Sequence, residues 1–87
     1  MTDPEWATFL AEVVTPRFPD GLTVLDAYGQ YRDDTLVRAE RTRVLVLVHA
    51  GSVASDAALH AIIEEYKHRF AQRSVLRVDA RVRADGG

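Results

Sequence analysis

Phe18-Pro19-Asp20-Gly21-Leu22-Thr23-Val24-Leu25-Asp26-Ala27-Tyr28-Gly29-Gln30-Tyr31 joins a turn to a strand, and its reading sets the architecture on both sides. Proline presets φ and glycine permits positive φ, so Pro19-Asp20-Gly21 turns the chain. A strand then runs from Leu22 to Tyr31, with acidic, aromatic and amide side chains where a plain core strand would carry valines.

Working outward, the preceding segment reads as a helix from Pro4 to Val14. Thr2 or Asp3 serves as N-cap, Pro4 suits the first turn, and Glu5 favours the positive helix end. Trp6, Phe9, Leu10 and Val13 follow the spacing of one buried face, and Thr15-Pro16 stops the helix. On the other side, Arg32-Asp33-Asp34-Thr35 has hairpin length, and a second strand spans Leu36 to His49. Its end, Val44-Leu45-Val46-Leu47-Val48, is continuously apolar, which predicts a central strand covered on both faces. Gly51-Ser52 breaks it, Ser52 or Ser55 caps a second helix, and Leu59, Ile62, Ile63, Tyr66 and Phe70 form that helix's apolar stripe to about Gln72. Ser74 to Val82 reads as a last strand, with Arg83 to Gly87 a flexible tail.

The order helix-strand-strand-helix-strand makes residues 1–87 a single α+β domain. It is the ferredoxin-like two-layer sandwich lacking its first strand, with helices on one face of a mostly antiparallel sheet. In the complete fold the first strand lies between the third and the last, so here the last strand pairs directly with the strand ending at His49 or a partner chain supplies what is missing.

Composition narrows the function classes. Eighty-seven residues with 47% hydrophobic content support only a thin core. Cysteine is absent, which removes disulfides and thiolate metal sites and leaves oligomerisation as the remaining support, so a homodimer is expected. A formal charge of −2 with interleaved signs argues against nucleic-acid binding. No signal-peptide pattern and no membrane-spanning apolar run is visible, so the expectation is a cytoplasmic protein without a membrane partner.

Two blocks carry a family likeness. The first comprises Trp6-x-x-Phe9, Val14-Thr15-Pro16-Arg17-Phe18-Pro19-Asp20-Gly21-Leu22-Thr23-Val24 and Gly29-Gln30-Tyr31-Arg32. The second is Tyr66-Lys67-His68-Arg69-Phe70-Ala71-Gln72-Arg73-Ser74-Val75-Leu76. Together they resemble a family of small bacterial domains of unknown function, over nearly the whole chain. Members usually carry a further N-terminal strand, often behind an export or lipoprotein signal. They commonly have glycine and glutamate where this chain has Ala71 and Arg73. The resemblance implies no activity and no catalytic residues.

Candidate ligand-binding residues are Tyr28, Tyr31, Arg38, Glu40 and His49. With a four-residue loop, Tyr31 faces Leu36, Asp26 faces Arg41, and Tyr31 shares a face with Arg38 and Glu40. A phenol, a guanidinium and a carboxylate could orient an anionic ligand and move a proton; a cross-strand ion-pair ladder would use the same residues. His49, at a strand end, could bind or catalyse, or could simply close the core. His60, Glu64 and His68 share a helix face, but its ends lie about 12 Å apart, too far for one ion, so no metal is expected. Gly51-Ser52 lacks a nucleotide-binding motif, the serines and histidines form no recognisable triad, and no cofactor is expected.

The functional expectation is a dimeric small-molecule-binding or interaction module. The alternative is a small cofactor-independent enzyme, an isomerase, cyclase or oxygenase, with its pocket between sheet and helices.

Overall fold

A computed structural model of the chain describes residues 1–83. The protein is α+β: two helices lie against a two-stranded antiparallel sheet. Helix α1 (Asp3–Phe9) starts at Thr2, whose hydroxyl accepts from the Glu5 amide at 3.2 Å while the Thr2 amide donates to Glu5 Oε1 at 3.1 Å. This reciprocal capping box satisfies two otherwise unpaired donors. The hydrogen bonds from Thr2 hold the Glu5 carboxyl below its ordinary pKa.

α1 continues as a π-helical turn, Leu10–Val14, closed by the Thr15 amide on the Leu10 carbonyl at 2.9 Å. Pro16 cannot donate and ends the ladder. The wider turn lets Val13 and Val14, four and five residues after Phe9, face the same interior; all three are buried. The 3.6-residue period expects Leu10 and Val13 there, and the π turn adds Val14. Arg17 secures the end by donating to the Val13 carbonyl at 2.8 Å.

Strands β1 (Thr23–Asp33) and β2 (Leu36–Val46) form a hairpin whose turn is Asp34-Thr35. Asp34 has φ of 53°, the left-handed conformation that two-residue hairpins require and aspartate tolerates. The loop is thus two residues rather than four. Asp33 faces Leu36, Tyr31 faces Arg38, and Asp26 faces Arg43 instead of Arg41. Both loop lengths are even, so the shift of two residues preserves every side chain's face.

Helix α2 (Val53–Arg69) is capped by the Ser52 hydroxyl, which accepts from the Ser55 amide at 3.1 Å. Its C-terminus closes with the Gln72 amide on the Lys67 carbonyl, and Ala71 takes φ of 51°. This is the Schellman arrangement, in which the left-handed residue is usually glycine. Among the described residues, Ile62 completes a core of four buried side chains with Phe9, Val13 and Val14. Around them sit Trp6, Tyr66 and Phe70, with ring centroids 5.2–6.2 Å apart.

Two strand expectations fail. Among the described residues β2 has one strand neighbour, so it is not central, and its apolar end is covered on one side only. Leu45 and Leu47 are half-buried toward the helices, whereas Val44, Val46 and Val48 are exposed. Ser74 to Val82 forms no strand, because no ladder partner lies beside it. Of the expected tail, residues 84–87 lie outside the described residues.

Phe9 touches both helices' aromatic rings, so Phe9→Ala is expected to cost about 3–5 kcal/mol and leave the chain largely unfolded in thermal melts followed by circular dichroism. Ala71→Gly removes the left-handed penalty of a β-carbon and is expected to raise stability by up to about 1 kcal/mol in urea titrations. The depressed Glu5 value gives a stabilising contribution that is present above the unfolded-state pKa and lost as pH falls through the folded one. Amide exchange in the first turn of α1 should therefore accelerate on acidification, and Glu5→Gln should blunt that change.

Candidate functional site

Alternation divides the sheet into two chemically distinct faces. Thr23, Leu25, Ala27, Gly29 and Tyr31 share the open face with Arg38, Glu40, Thr42, Val44 and Val46. Its β1-start, β2-end half is apolar: Leu25 is 52% exposed and Val48, just beyond β2, 73% exposed. Its hairpin half is polar, with Tyr31 opposite Arg38 and Glu40 opposite Gly29. Arg38 donates to Asp33 at 3.1 Å. Gly29 gives the strands room, since a β-carbon there would come within 3.0 Å of Thr42 Oγ1.

The helix-side face carries Tyr28, whose hydroxyl donates to Gln30 Oε1 at 3.0 Å. Next to it lies a charged clamp between sheet and α1. Arg41 donates to Asp26 at 3.2 Å and Asp3 at 3.0 Å, and Arg43 also donates to Asp3. Hydrogen bonding to Asp26, with the charges of Asp26 and Asp3, raises the Arg41 pKa. The Arg43 side chain is only 9% exposed, with its guanidinium 5.5 Å from the Trp6 ring centre. Asp26 therefore does meet Arg41, but diagonally, and Asp3 joins the cluster from 38 positions away. A shallow, open cleft of about 170 Å³ lined by Met1, Arg41, Arg43 and Tyr66 lies here; a second of about 260 Å³ lies beside Pro4, Thr8 and Phe70.

His49 lies on the helix side in the turn between β2 and α2. Its Nδ1 accepts from the Gly51 amide at 3.1 Å and lies 3.0 Å from Ser55 Oγ, and its ring meets Phe18 edge-on at 6.3 Å. Because Nδ1 accepts from a backbone amide, the neutral ring carries its proton on Nε2. Gly51 has φ of 71°, which the turn requires. Ser55 Oγ donates to the Ser52 carbonyl at 3.0 Å and accepts from Ser52 Oγ at 3.2 Å. The sequence names these residues, but only the folded turn brings His49 and Ser55 together. The Gly51 amide and Ser55 hydroxyl contacts of His49 tie the end of β2 to the start of α2.

The five candidates thus separate. Tyr31, Arg38 and Glu40 occupy the open face, Tyr28 the opposite face at the middle of β1, and His49 the β2–α2 turn. His60, Glu64 and His68 are exposed on α2, and Glu64 pairs with Lys67 at 3.5 Å. Arg77, from the C-terminal segment, pairs with Asp56 on the first turn of α2 at 2.9 Å and with Asp79 at 3.0 Å. Hydrogen bonding to Asp79 and then Asp56 raises its pKa. No described helix is long and apolar enough to cross a membrane.

The family model described as "Protein of unknown function (DUF3574)" matches residues 1–85, and the chain belongs to that family. No curated protein and no solved structure matches the chain.

His49→Ala is expected to lower stability by about 1 kcal/mol through the lost Gly51 and Ser55 contacts, measured by urea unfolding. Gly51→Ala should cost a further 1–2 kcal/mol or so, because a β-carbon disfavours the left-handed turn.

Proposed function

For a member of a family that carries no assigned activity, we propose a homodimeric interaction module: a ferredoxin-like sandwich without its first strand that pairs with a second copy through its open sheet face. The observation that carries this reading is surface. The chain exposes 7032 Å², whereas a compact 9.7 kDa monomer exposes about 5,100 Å², roughly 1,900 Å² less. Its radius of gyration is 14.9 Å, against about 12 Å for a compact chain of this length. An ordinary interface takes about 800 Å² from each partner, so the excess is ample for one.

The chemistry of the face agrees. Leu25, Val44, Val46 and Val48 are exposed on one side of the sheet, and sheets commonly bury such rows by stacking about 10 Å apart. In this arrangement the polar half, Tyr31, Arg38 and Glu40, forms the rim. A small ligand would most readily sit at that rim. An enzyme reading would need Tyr31, Arg38 and His49 around one enclosed space, and they lie on different faces.

Size-exclusion chromatography with light scattering should give twice the monomer mass at tens of micromolar; a monomer throughout that range overturns the proposal. Val44→Asp and Val46→Asp should each weaken association by roughly 100-fold or more, because each buries an unpaired carboxylate. Circular dichroism should be unchanged.

A further inference from the structure

The open face of the sheet is uncovered along its whole length, not at one patch. Leu25, Val44 and Val46 at one end are exposed, and so are Tyr31 and Leu36 beside the hairpin turn. The face also has a direction. Its β1-start, β2-end half is apolar, while its hairpin half carries the Asp33–Arg38 ion pair. Alternation puts Asp33, two residues after Tyr31, on the same face as Arg38. An occupant that covers this face must match its polarity from end to end.

Two identical chains pair about a two-fold axis that sets one patch on itself. Stacked sheets keep their strand directions within about 30° of each other, so this axis runs either nearly along the strands or nearly across them. An axis across the strands, at full overlap, sets the hairpin end of one copy on the apolar half of the other. Arg38 then lies over the partner's Val44 and Asp33 over the partner's Thr23, which desolvates both charges without a new counter-charge. Sliding the copies until only the apolar halves meet avoids this, but it covers about 18 Å of sheet instead of about 36 Å. An axis along the strands lays β1 of each copy over β2 of the other, and each residue over the one it already faces in the ladder. Leu25 then meets the partner's Val44, Thr23 meets the partner's Val46, and hairpin end lies on hairpin end. Leu36 has an apolar neighbour in either case, so the charges decide.

We infer that two copies stack about a two-fold axis running along the strands, with both hairpin turns at the same end, and that Asp33 and Arg38 of each copy close a ring of alternating charge with those of the other. The arrangement rests on the face-to-face pairing proposed above and gives it a direction. Within one chain Arg38 reaches Asp33 diagonally across the ladder, Nε to Oδ2 at 3.1 Å. The two-fold sets the partner's Asp33 over Leu36, the next residue in the Arg38 row of β2. Among the described residues Nη1 and Nη2 of Arg38 make no hydrogen bond, so they can turn to that second carboxylate. Glu40 comes to lie over the partner's Gly29, where no side chain competes for the space. Charges at the rim of such an interface fix orientation and exclude wrong pairings more than they add affinity.

Two measurements on the full chain test this. The sequence has no cysteine, so Thr35→Cys in the exposed hairpin turn accepts a single nitroxide. Double electron–electron resonance should place the two labels less than about 30 Å apart, whereas an axis across the strands puts the turns at opposite ends, more than about 40 Å apart. For the charges, a double variant with Asp33→Arg and Arg38→Asp keeps the pair within each chain and reverses its sign. On its own it should dimerise as the unsubstituted chain does. In an equal mixture with nitrogen-15-labelled unsubstituted chain, native mass spectrometry should find mixed dimers at least about fivefold below their random share, because like charges then meet across the interface. A longer label distance, or mixed dimers at the random share, overturns this arrangement and leaves the face-to-face pairing standing. A monomer in light scattering overturns both.

Discussion

Phe9 is the contact on which both layers rest. It is 1% exposed and meets the rings of Trp6, Tyr66 and Phe70, so one side chain ties α1 to α2. The aromatic knot fixes where the Trp6 face lies, and Arg43 of β2 docks on that face. The hairpin is therefore held to the helices partly by a desolvated cation over a ring and partly by Leu45 and Leu47. Only four of the described residues are buried, and the ion pairs of Arg41 and Arg43 with Asp3 add a charged tie between the sheet and α1. Losing Phe9 removes the helix pair and the platform for the sheet together.

Attachment along one side only explains the contrast between the two faces. On the helix side, Arg43, Leu45 and Leu47 are covered toward the end of β2, while Arg41, Asp26 and Asp3 form an exposed charged clamp. On the other side, valines and a leucine of the same strands meet solvent. Scattered exposed apolar residues are ordinary, but an aligned row on one face is a different physical situation. The surface Asp33–Arg38 pair at the hairpin end adds polarity without much energy, since exposed ion pairs contribute little.

How far the sequence discloses this architecture depends on which interactions are local. Capping at Thr2, the turn at Pro19-Asp20-Gly21 and the α2 stripe rest on nearest neighbours, and all are legible. The face shared by Tyr31, Arg38 and Glu40 is legible as well, because parity survives an error of two in loop length. The loop length itself is not, since Asp34 supplies the left-handed residue where a glycine or asparagine would have signalled it. The π turn that buries Val14 is likewise silent in a 3.6-residue pattern. The Val44–Val48 run reads as a central strand because composition reports preference for burial, not whether a partner is present. For the same reason Ser74–Val82 has strand composition and no strand. The separation of Tyr31 from His49 follows from alternation through β2 and was within reach; the meeting of His49 with Ser55 depended on the folded turn.

The two-stranded sheet and the thin core are one constraint seen twice. A chain with few buried residues gains stability from whatever binds its native form and not its unfolded form. The face-to-face pairing proposed above would cover Leu25, Val44 and Val46, which already point away from the helices, so it would not need the hairpin to rearrange. What positions the C-terminal segment is a turn with a non-glycine left-handed residue and one exposed arginine–carboxylate contact, both weak. That segment is thus held less firmly than the helices and the hairpin, and ordering it costs conformational entropy that few contacts offset.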